Sequence, residues 1–506
     1  MFPKSNRLFC LLAQAISCLT LFHSIPALAR GPKTPPSADV VVHSEKPGLT
    51  IAPDFLGLSY EAPALTKDTF SITHKEFLRL LANLGTGTLR FGGNSVESTF
   101  WSREGVVSEA ASRGTITPKD LDRLFEFSRQ SRWRVILGLN LGHYDPSMSA
   151  DEAAYAVEKA GPSLLALEIG NEPDLFMKNG LRNSNWSYDN FRREFETYAQ
   201  KITARTPAAP LSGPTTCCTL GPEWFEHFVA DEESRLVFAS HHIYPMSAAQ
   251  SNPDAPSFPS IGRMLSPELM NRVADLVDRL ASAAEARHLQ LRIAETNSAS
   301  HGGKEGVSNT FASALWGADY AFTLAEHGAT ALNFHGGFAC HGYTPICIAD
   351  GHFVPQPLYY GMLLFHLALP GKAGRLVPVD VRAPGNLTAH AVLSDGGSLR
   401  IVLINKDAQK AMTVEISEAQ RYSRVGLPPH PLQTSPMPVL VPYRSGSVRR
   451  LMAPALDSTT GITLAGTAVN AQGGWSGMPG DKLKKHKNAF RLELPPGTAA
   501  LVHLYN

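Results

Sequence analysis

Two glutamates in this chain each end a short apolar run. The segment from Leu165 to Pro173, Leu-Ala-Leu-Glu-Ile-Gly-Asn-Glu-Pro, delivers Asn171 and Glu172 into a loop, and the segment from Leu291 to Asn297, Leu-Arg-Ile-Ala-Glu-Thr-Asn, carries Glu295 out in the same way. Two carboxyls on two strand ends suit an acid/base and a nucleophile, the pair that cleaves a glycosidic bond with retention when held about 5 to 5.5 Å apart. Taken singly, each glutamate also reads as a solvated loop residue or as the charge of a helix first turn. Their joint placement decides between the readings, and that placement depends on the elements around them.

Those elements alternate. Short apolar segments at 55–60, 88–91, 135–141, 165–169, 211–214, 237–244, 291–294 and 331–335 are separated by amphipathic patterns, the mark of βαβ units and a parallel sheet. Eight such strands close a (β/α)8 TIM barrel, whose active site lies at the C-terminal strand ends. Thr117-Pro118 before Leu121, Leu124 and Phe125, and Ser266-Pro267 before Leu269, Val273, Leu276, Val277 and Leu280, give an N-cap hydroxyl, a first-turn proline and a buried stripe. Phe191, Phe195, Tyr198 and Ile202 mark another helix, and 316–324 and 358–369 the last two. On this count Glu172 ends strand four and Glu295 strand seven, across the mouth from each other, and the Pro- and Ser-rich stretch 245–265 forms a long rim loop.

Beyond residue 372 the helical pattern gives way to alternation. The segments 389–393 and 399–405 flank Asp395-Gly396-Gly397, a hairpin turn, and 490–494 and 499–504 continue in the same style. The fold class expected is therefore α/β, a (β/α)8 barrel with an appended C-terminal β-sandwich. The expected divisions are 1–29 as a signal peptide, 30–49 as an N-terminal segment whose strand at 40–42 joins the sandwich, 50–371 as the barrel and 372–506 as the sandwich.

Bulk properties narrow the partners. With 46 basic and 45 acidic residues among 506, the formal charge is +1, which gives no electrostatic case for nucleic acid or a membrane surface. Lys4 and Arg7, an apolar run from Leu8 to Leu21 and then Ala27-Leu28-Ala29 read as a secretory leader cleaved after Ala29, so a secreted or periplasmic protein is expected. No later run is long enough for a membrane span. Cys217, Cys218, Cys340 and Cys347 remain after cleavage; Cys340 and Cys347 would close a small loop, bridged or free. With no CxxC pair and no His-Glu-x-x-His, neither a metal nor a cofactor is expected, and His241 and His242 read as strand-end residues rather than ligands. Lys482, Lys484, Lys485 and Lys487 form a basic cluster that reads as solvated loop or as a contact for an anionic polysaccharide. Asn185 and Asn386 stand in glycosylation triplets.

Leu89-Arg90-Phe91-Gly92-Gly93-Asn94 on strand two, Asn171-Glu172-Pro173 on strand four, Glu295 on strand seven and Ser59-Tyr60-Glu61 on strand one together resemble glycoside hydrolase family 79, the clan A group of β-glucuronidases and heparanases. The resemblance implies Glu172 as acid/base and Glu295 as nucleophile. It implies Asn171 on the sugar 2-hydroxyl, Tyr244 orienting the nucleophile, Glu61 reading sugar hydroxyls and Arg90 supporting the nucleophile. Gly342 and Tyr343 would satisfy the substrate carboxylate through backbone N–H groups and a phenol, with Lys304 a weaker candidate. The implied activity is exo-β-glucuronidase acting on a glucuronate-containing oligo- or polysaccharide, with or without 4-O-methylation. The alternatives are a heparanase-type endo-β-glucuronidase, another clan specificity such as xylosidase or glucosidase, and a non-catalytic carbohydrate-binding protein.

Overall fold

A computed structural model describes residues 36–107, 113–218, 220–371, 373–419 and 443–506. The expected leader at 1–29 lies outside the described residues. Eight parallel strands close a barrel in chain order: β1 (Leu56–Glu61), β2 (Gly87–Gly92), β3 (Trp133–Leu139), β4 (Leu164–Ile169), β5 (Leu211–Thr216), β6 (Leu236–Ile243), β7 (Leu291–Thr296) and β8 (Ala329–His335). β2, β5 and β7 are buried along their whole length, so none shows the alternation of a half-exposed strand, and the polar side chains on them, Arg90, Thr216 and Glu295 among them, are buried too.

The outer ring is α1 (Lys75–Asn83), α2 (Pro118–Ser131), α3 (Pro146–Ala160), α4 (Tyr188–Arg205), α5 (Gly221–Glu232), α6 (Pro267–Glu285), α7 (Phe311–Glu326) and α8 (Pro357–Ala368). Punctuation in the sequence sets two of these starts. Thr117 and Asp120 form a capping box ahead of Pro118, and the Ser266 hydroxyl accepts from the Leu269 N–H. The stretch 245–265 is partly ordered into the barrel rim: Met246–Ser247 pairs in parallel with Ala299–Ser300, and Ile261–Met264 makes one helical turn.

Two further sheets follow. One runs Thr50–Ile51, Gly374–Val377, Leu387–Leu393, Leu399–Asn405, Thr498–Tyr505, Ser445–Met452, Thr463–Leu464, and the other Val379–Arg382, Ser37–Val42, Met412–Glu418, Ala489–Leu494, Lys485–His486. Their facing side chains, among them Val40, Ile401, Leu403, Val414, Leu492 and Val502, form one apolar core, the core of a β-sandwich. Helices α7 and α8 lie between barrel and sandwich, so nearly every side chain on them is buried. A Cβ on Gly361 would strike the Ala314 carbonyl, so the close approach of these two helices requires glycine there. The sandwich is pinned by a buried charge cluster: Asp319 of α7 accepts from Thr388 (2.8 Å), His390 (2.9 Å) and Lys406 (2.7 Å).

Candidate active site

At the C-terminal end of β4 the chain turns through Gly170 and Asn171 into Glu172, which sits in the left-handed region at φ 52°. A non-glycine residue there costs on the order of 1 to 3 kcal/mol and persists only where its surroundings fix it. Here the Glu172 N–H donates to the Thr215 carbonyl at 3.0 Å, tying the turn to the end of β5. Glu295 is the penultimate residue of β7. A carboxylate oxygen of Glu172, one of Glu295 and a ring nitrogen of His242 all lie within 4.8 Å of one another, and each glutamate is 5% exposed. The two strand-end carboxyls therefore face one another across a gap of the size a retaining glycosidase uses.

Their surroundings differ. Glu295 accepts from Arg90 Nη1 (2.8 Å) on one oxygen and from the Tyr244 hydroxyl (2.8 Å) on the other. Arg90 on β2 is fully buried, and its other donors go to Glu168 (2.7 Å), Asn171 Oδ1 (2.9 Å) and Ser59 (3.2 Å). It lies under the pocket and acts on these side chains rather than on a bound sugar. Burial opposes its charge, but Glu168 and Glu295 outweigh that and hold the guanidinium protonated.

Glu172 has a neutral setting. Burial pushes its carboxyl upward, partly offset by the Cys217 thiol and by Arg90. His242 Nδ1 lies 3.0 Å from Glu172 Oε1. Burial lowers the His242 imidazole to about 3, so it is uncharged, and its Nε2 is buried without a partner. An orphaned lone pair costs less than an orphaned N–H, so the tautomer that fits carries its proton on Nδ1 and donates to Glu172. With one oxygen taken by that bond, the proton of the acid form belongs on the other.

Asn171 is fixed on three sides: its N–H donates to Glu97 Oε1 (2.6 Å), its Oδ1 accepts from Arg90, and its Nδ2 donates to Asn94 (3.2 Å). Glu97 also accepts from the N–H groups of Leu141 (2.9 Å) and Gly142 (2.5 Å), joining the ends of β3 and β4; burial raises its carboxyl to about 7. Glu61 accepts from the Ser95 N–H (2.9 Å) and from its hydroxyl, and a side chain at Gly93 would collide with the Glu61 carboxylate. Against burial, His335 and Ser95 hold the Glu61 carboxyl down at about 2.

His335 at the end of β8 sits between the carboxylates, 3.6 Å from both Glu61 and Glu295, with Nδ1 3.0 Å from Ser59. Burial opposes its charge, yet Glu295 and Glu61 raise its pKa above the ordinary histidine value. Glu172, His242 and Glu295 have the donor types of a three-ligand divalent metal site. Arg90 and His335 already supply positive charge there, which opposes a cation.

The loop after β8 departs from expectation. Cys340 and Cys347 are bridged, closing the loop that carries Gly342 and Tyr343. The Gly342 N–H donates to the Glu305 carboxylate (3.2 Å) and the Tyr343 N–H to the Gly302 carbonyl (3.2 Å), so neither is an open donor for a substrate carboxylate. Gly342 (φ 61°) is instead the close-packing point of the two loops, since a Cβ there would overlap the Gly302 carbonyl. Glu305 lines a separate cavity of about 500 Å³ with Thr460 and Val469 of the sandwich. The Tyr343 ring stays at the mouth, 6.2 Å from Tyr244 and 6.1 Å from His335. Lys304 is exposed on the adjoining loop.

Sequence reasoning missed His242, His335, Glu168 and Glu97. For His242 a signal existed: it lies two residues before Tyr244, so strand alternation sends both to one face. The register slip between His241 and His242 against β7, which sets His242 opposite Glu295, carries no sequence signal.

Residues 389–501 match the glycosyl hydrolase family 79 C-terminal beta domain. A β-glucuronidase of Neurospora crassa is 26% identical over 460 residues, covering 77% of this chain and 79% of that protein; one of Aspergillus niger is 25% identical over 373 residues, covering 67% and 65%. The crystal structure of a 4-O-α-L-rhamnosyl-β-D-glucuronidase from Fusarium oxysporum 12S superposes with a TM-score of 0.72 over 92% of this chain and 99% of that one, at 21% identity, a likeness of fold. A carboxyl pair at facing strand ends of a (β/α)8 barrel, joined to the β domain of that family and related along most of its length to such enzymes, identifies the chain: it is a glycoside hydrolase and belongs to glycoside hydrolase family 79.

Proposed function

We propose that the protein is a secreted, retaining, exo-acting β-glucuronidase that releases terminal β-linked glucuronate from a glycan. The observation that carries the mechanism is the approach of the Glu172 and Glu295 carboxylates to within 4.8 Å, one embedded in donors and the other in a neutral, buried setting. Glu295 attacks the anomeric carbon while Glu172 protonates the departing oxygen; Glu172 then takes a proton from water, which releases the sugar with its β configuration. The free second hydrogen of Asn171 Nδ2 is the donor to the 2-hydroxyl, where hydrogen bonding strengthens as oxocarbenium character develops. Glu61 and His335 pair with the remaining hydroxyls.

Uronate selection rests on the Tyr343 hydroxyl and on the positive potential of Arg90 and His335 beneath the pocket. The β-glucuronidase relatives support this substrate class. The rim sheet of Met246–Ser247 with Ala299–Ser300 raises a wall on the β6–β7 side of the mouth, which supports exo rather than endo cleavage.

The test is hydrolysis of aryl β-glucuronide, β-glucoside and β-xyloside, with the anomer of the first product read by proton NMR and heparan sulfate chain length followed in parallel. Glu295→Gln abolishes turnover in a folded protein, and the β anomer forms first from the glucuronide alone. A variant retaining most activity, an α-anomeric first product, or shortened heparan chains with inert aryl substrates each overturns the reading. Tyr343→Phe raises KM for the glucuronide about tenfold, the value of one hydrogen bond to a charged group, and leaves any residual glucoside hydrolysis unchanged.

A further inference from the structure

Next to the acid/base stands a pair of thiols that hydrolysis does not require. β5 ends at Thr216, and the next two residues are Cys217, 3% exposed, and Cys218, exposed and at φ 63°. Their sulfurs lie 2.9 Å apart. The Cys217 N–H donates to Asp174 (3.0 Å), two residues beyond Glu172, and Glu172 donates its own N–H to Thr215, so the thiol pair and the acid/base share one small frame.

We propose that Cys217 and Cys218 are a reversible vicinal dithiol/disulfide site whose oxidation by a low-molecular-weight disulfide resets the acid/base Glu172. The proposal goes beyond the hydrolase reading and rests on it only for the role of Glu172. The chemistry is thiol–disulfide exchange. The Cys218 thiolate attacks one sulfur of the external disulfide and expels one thiolate. Cys217 then gives up its proton and attacks the Cys218 sulfur, expelling nothing but the second thiol of the reagent. Two protein thiols are oxidised to one S–S bond while one external disulfide is reduced to two thiols, and electrons and protons balance.

The environments suit those roles. The hydrogen bond from Cys217 lowers the Cys218 thiol pKa, with Lys178 nearby adding to the effect, while the same contact and burial push Cys217 up. The exposed sulfur is thus the attacking one and the buried sulfur the resolving one. Consecutive Cα atoms are only about 3.8 Å apart, closer than ordinary disulfides hold theirs, so the ring is strained and easily reduced. The Cys340–Cys347 bridge lacks that constraint and serves as an internal reference for full oxidation. When Cys218 is itself a thiol it can donate to the Cys217 sulfur, which leaves the one Cys217 S–H to turn to Glu172 and help hold its carboxyl down. A disulfide has no S–H to donate, so oxidation moves the Glu172 titration upward.

The experiment exposes the full-length protein to oxidised glutathione, maps the peptide carrying 217–218 by mass, and records the pH profile of kcat/KM on an aryl glucuronide. The expected result is loss of two hydrogens from that peptide together with an upward move of the alkaline limb, both reversed by dithiothreitol and both absent from Cys218→Ser. No internal disulfide, or a stable glutathione adduct on Cys218, overturns the site; a disulfide that leaves the pH profile unmoved overturns its coupling to Glu172. Full activity in Glu172→Gln would instead sink the acid/base assignment, a failure that the mass result does not share.

Discussion

Replacing Tyr244 with phenylalanine removes one hydroxyl, the group that donates to Glu295 Oε1 at 2.8 Å, and leaves Arg90 on the other oxygen. A hydrogen bond to a charged acceptor is worth about 1.5 to 3 kcal/mol, which corresponds to about 10- to 160-fold in rate if all of it is expressed in one transition state. It is not expressed equally in the two steps. In the first step of the proposed mechanism, Glu295 spends its negative charge on the anomeric carbon, so the phenol bond weakens toward the covalent intermediate and contributes little to the barrier. In the second, the carboxylate departs from that carbon and its charge returns, so the bond strengthens toward the transition state.

The expected consequence is selective loss of the second step. On an activated aryl glucuronide, kcat of Tyr244→Phe falls about tenfold or more while kcat/KM, which reports the first step, changes little. The glycosyl-enzyme accumulates, and rapid-quench measurement shows a burst of phenol release equal to the enzyme concentration. Equal Tm values for the two proteins establish that the fold is kept. A kcat within about twofold of the parent and no burst would refute the argument, since a donor at that distance would then have no differential interaction with the returning charge.

Two other outcomes follow from the same geometry. His242→Ala frees the Glu172 oxygen that His242 now engages, so kcat/KM falls about tenfold for alkyl and poor aryl leaving groups and hardly at all for groups that leave without protonation, as a leaving-group series will read out. Asp319→Asn leaves His390 and Lys406 without their shared anion and costs about 3 to 5 kcal/mol of unfolding free energy. His390 is raised to about 9 in the fold by Glu326 and Asp319 despite burial, so its contribution is complete below its unfolded value of 6.5 and is lost as pH climbs from there to about 9. Thermal unfolding of the parent should weaken across that window, and Asp319→Asn should flatten the dependence.

The barrel was legible because most of its parallel strands, covered on both faces, are rich in apolar residues, and because prolines and hydroxyls mark the starts of α2 and α6. Helix α3 has the start signal, Asp145 ahead of Pro146, but no apolar stripe: its buried face is largely Ala150, Ala153, Ala156 and Ala160, too small to register as one. The two glutamates were legible as strand-end carboxyls. Their partners were not, because Glu168 and Glu97 are defined by what donates to them from other strands, and no local pattern reports a donor 30 or more positions away. Gly342 shows the converse, a local motif suggesting an N–H nest when the direction of that N–H is set by a distant loop.

The division of labour between the carboxyls also follows from which strands flank them. β2 runs between β1 and β3 and sends Arg90 beneath the floor, where its fork reaches Glu168 and Asn171 on the β4 side and Glu295 on β7 at once. That cation could serve either glutamate, but its direct bond goes to Glu295, and Tyr244 closes the second oxygen. Glu172 is left with an uncharged imidazole, a thiol and burial, none of which favours the anion as strongly as a guanidinium does. Two side chains of the same type thus acquire different environments from a single arginine's reach, and the proposed duties follow those environments. On the proposed mechanism, a barrel that moved Arg90's bond from Glu295 to Glu172 would lose both the nucleophile and the acid, although both glutamates would still be present.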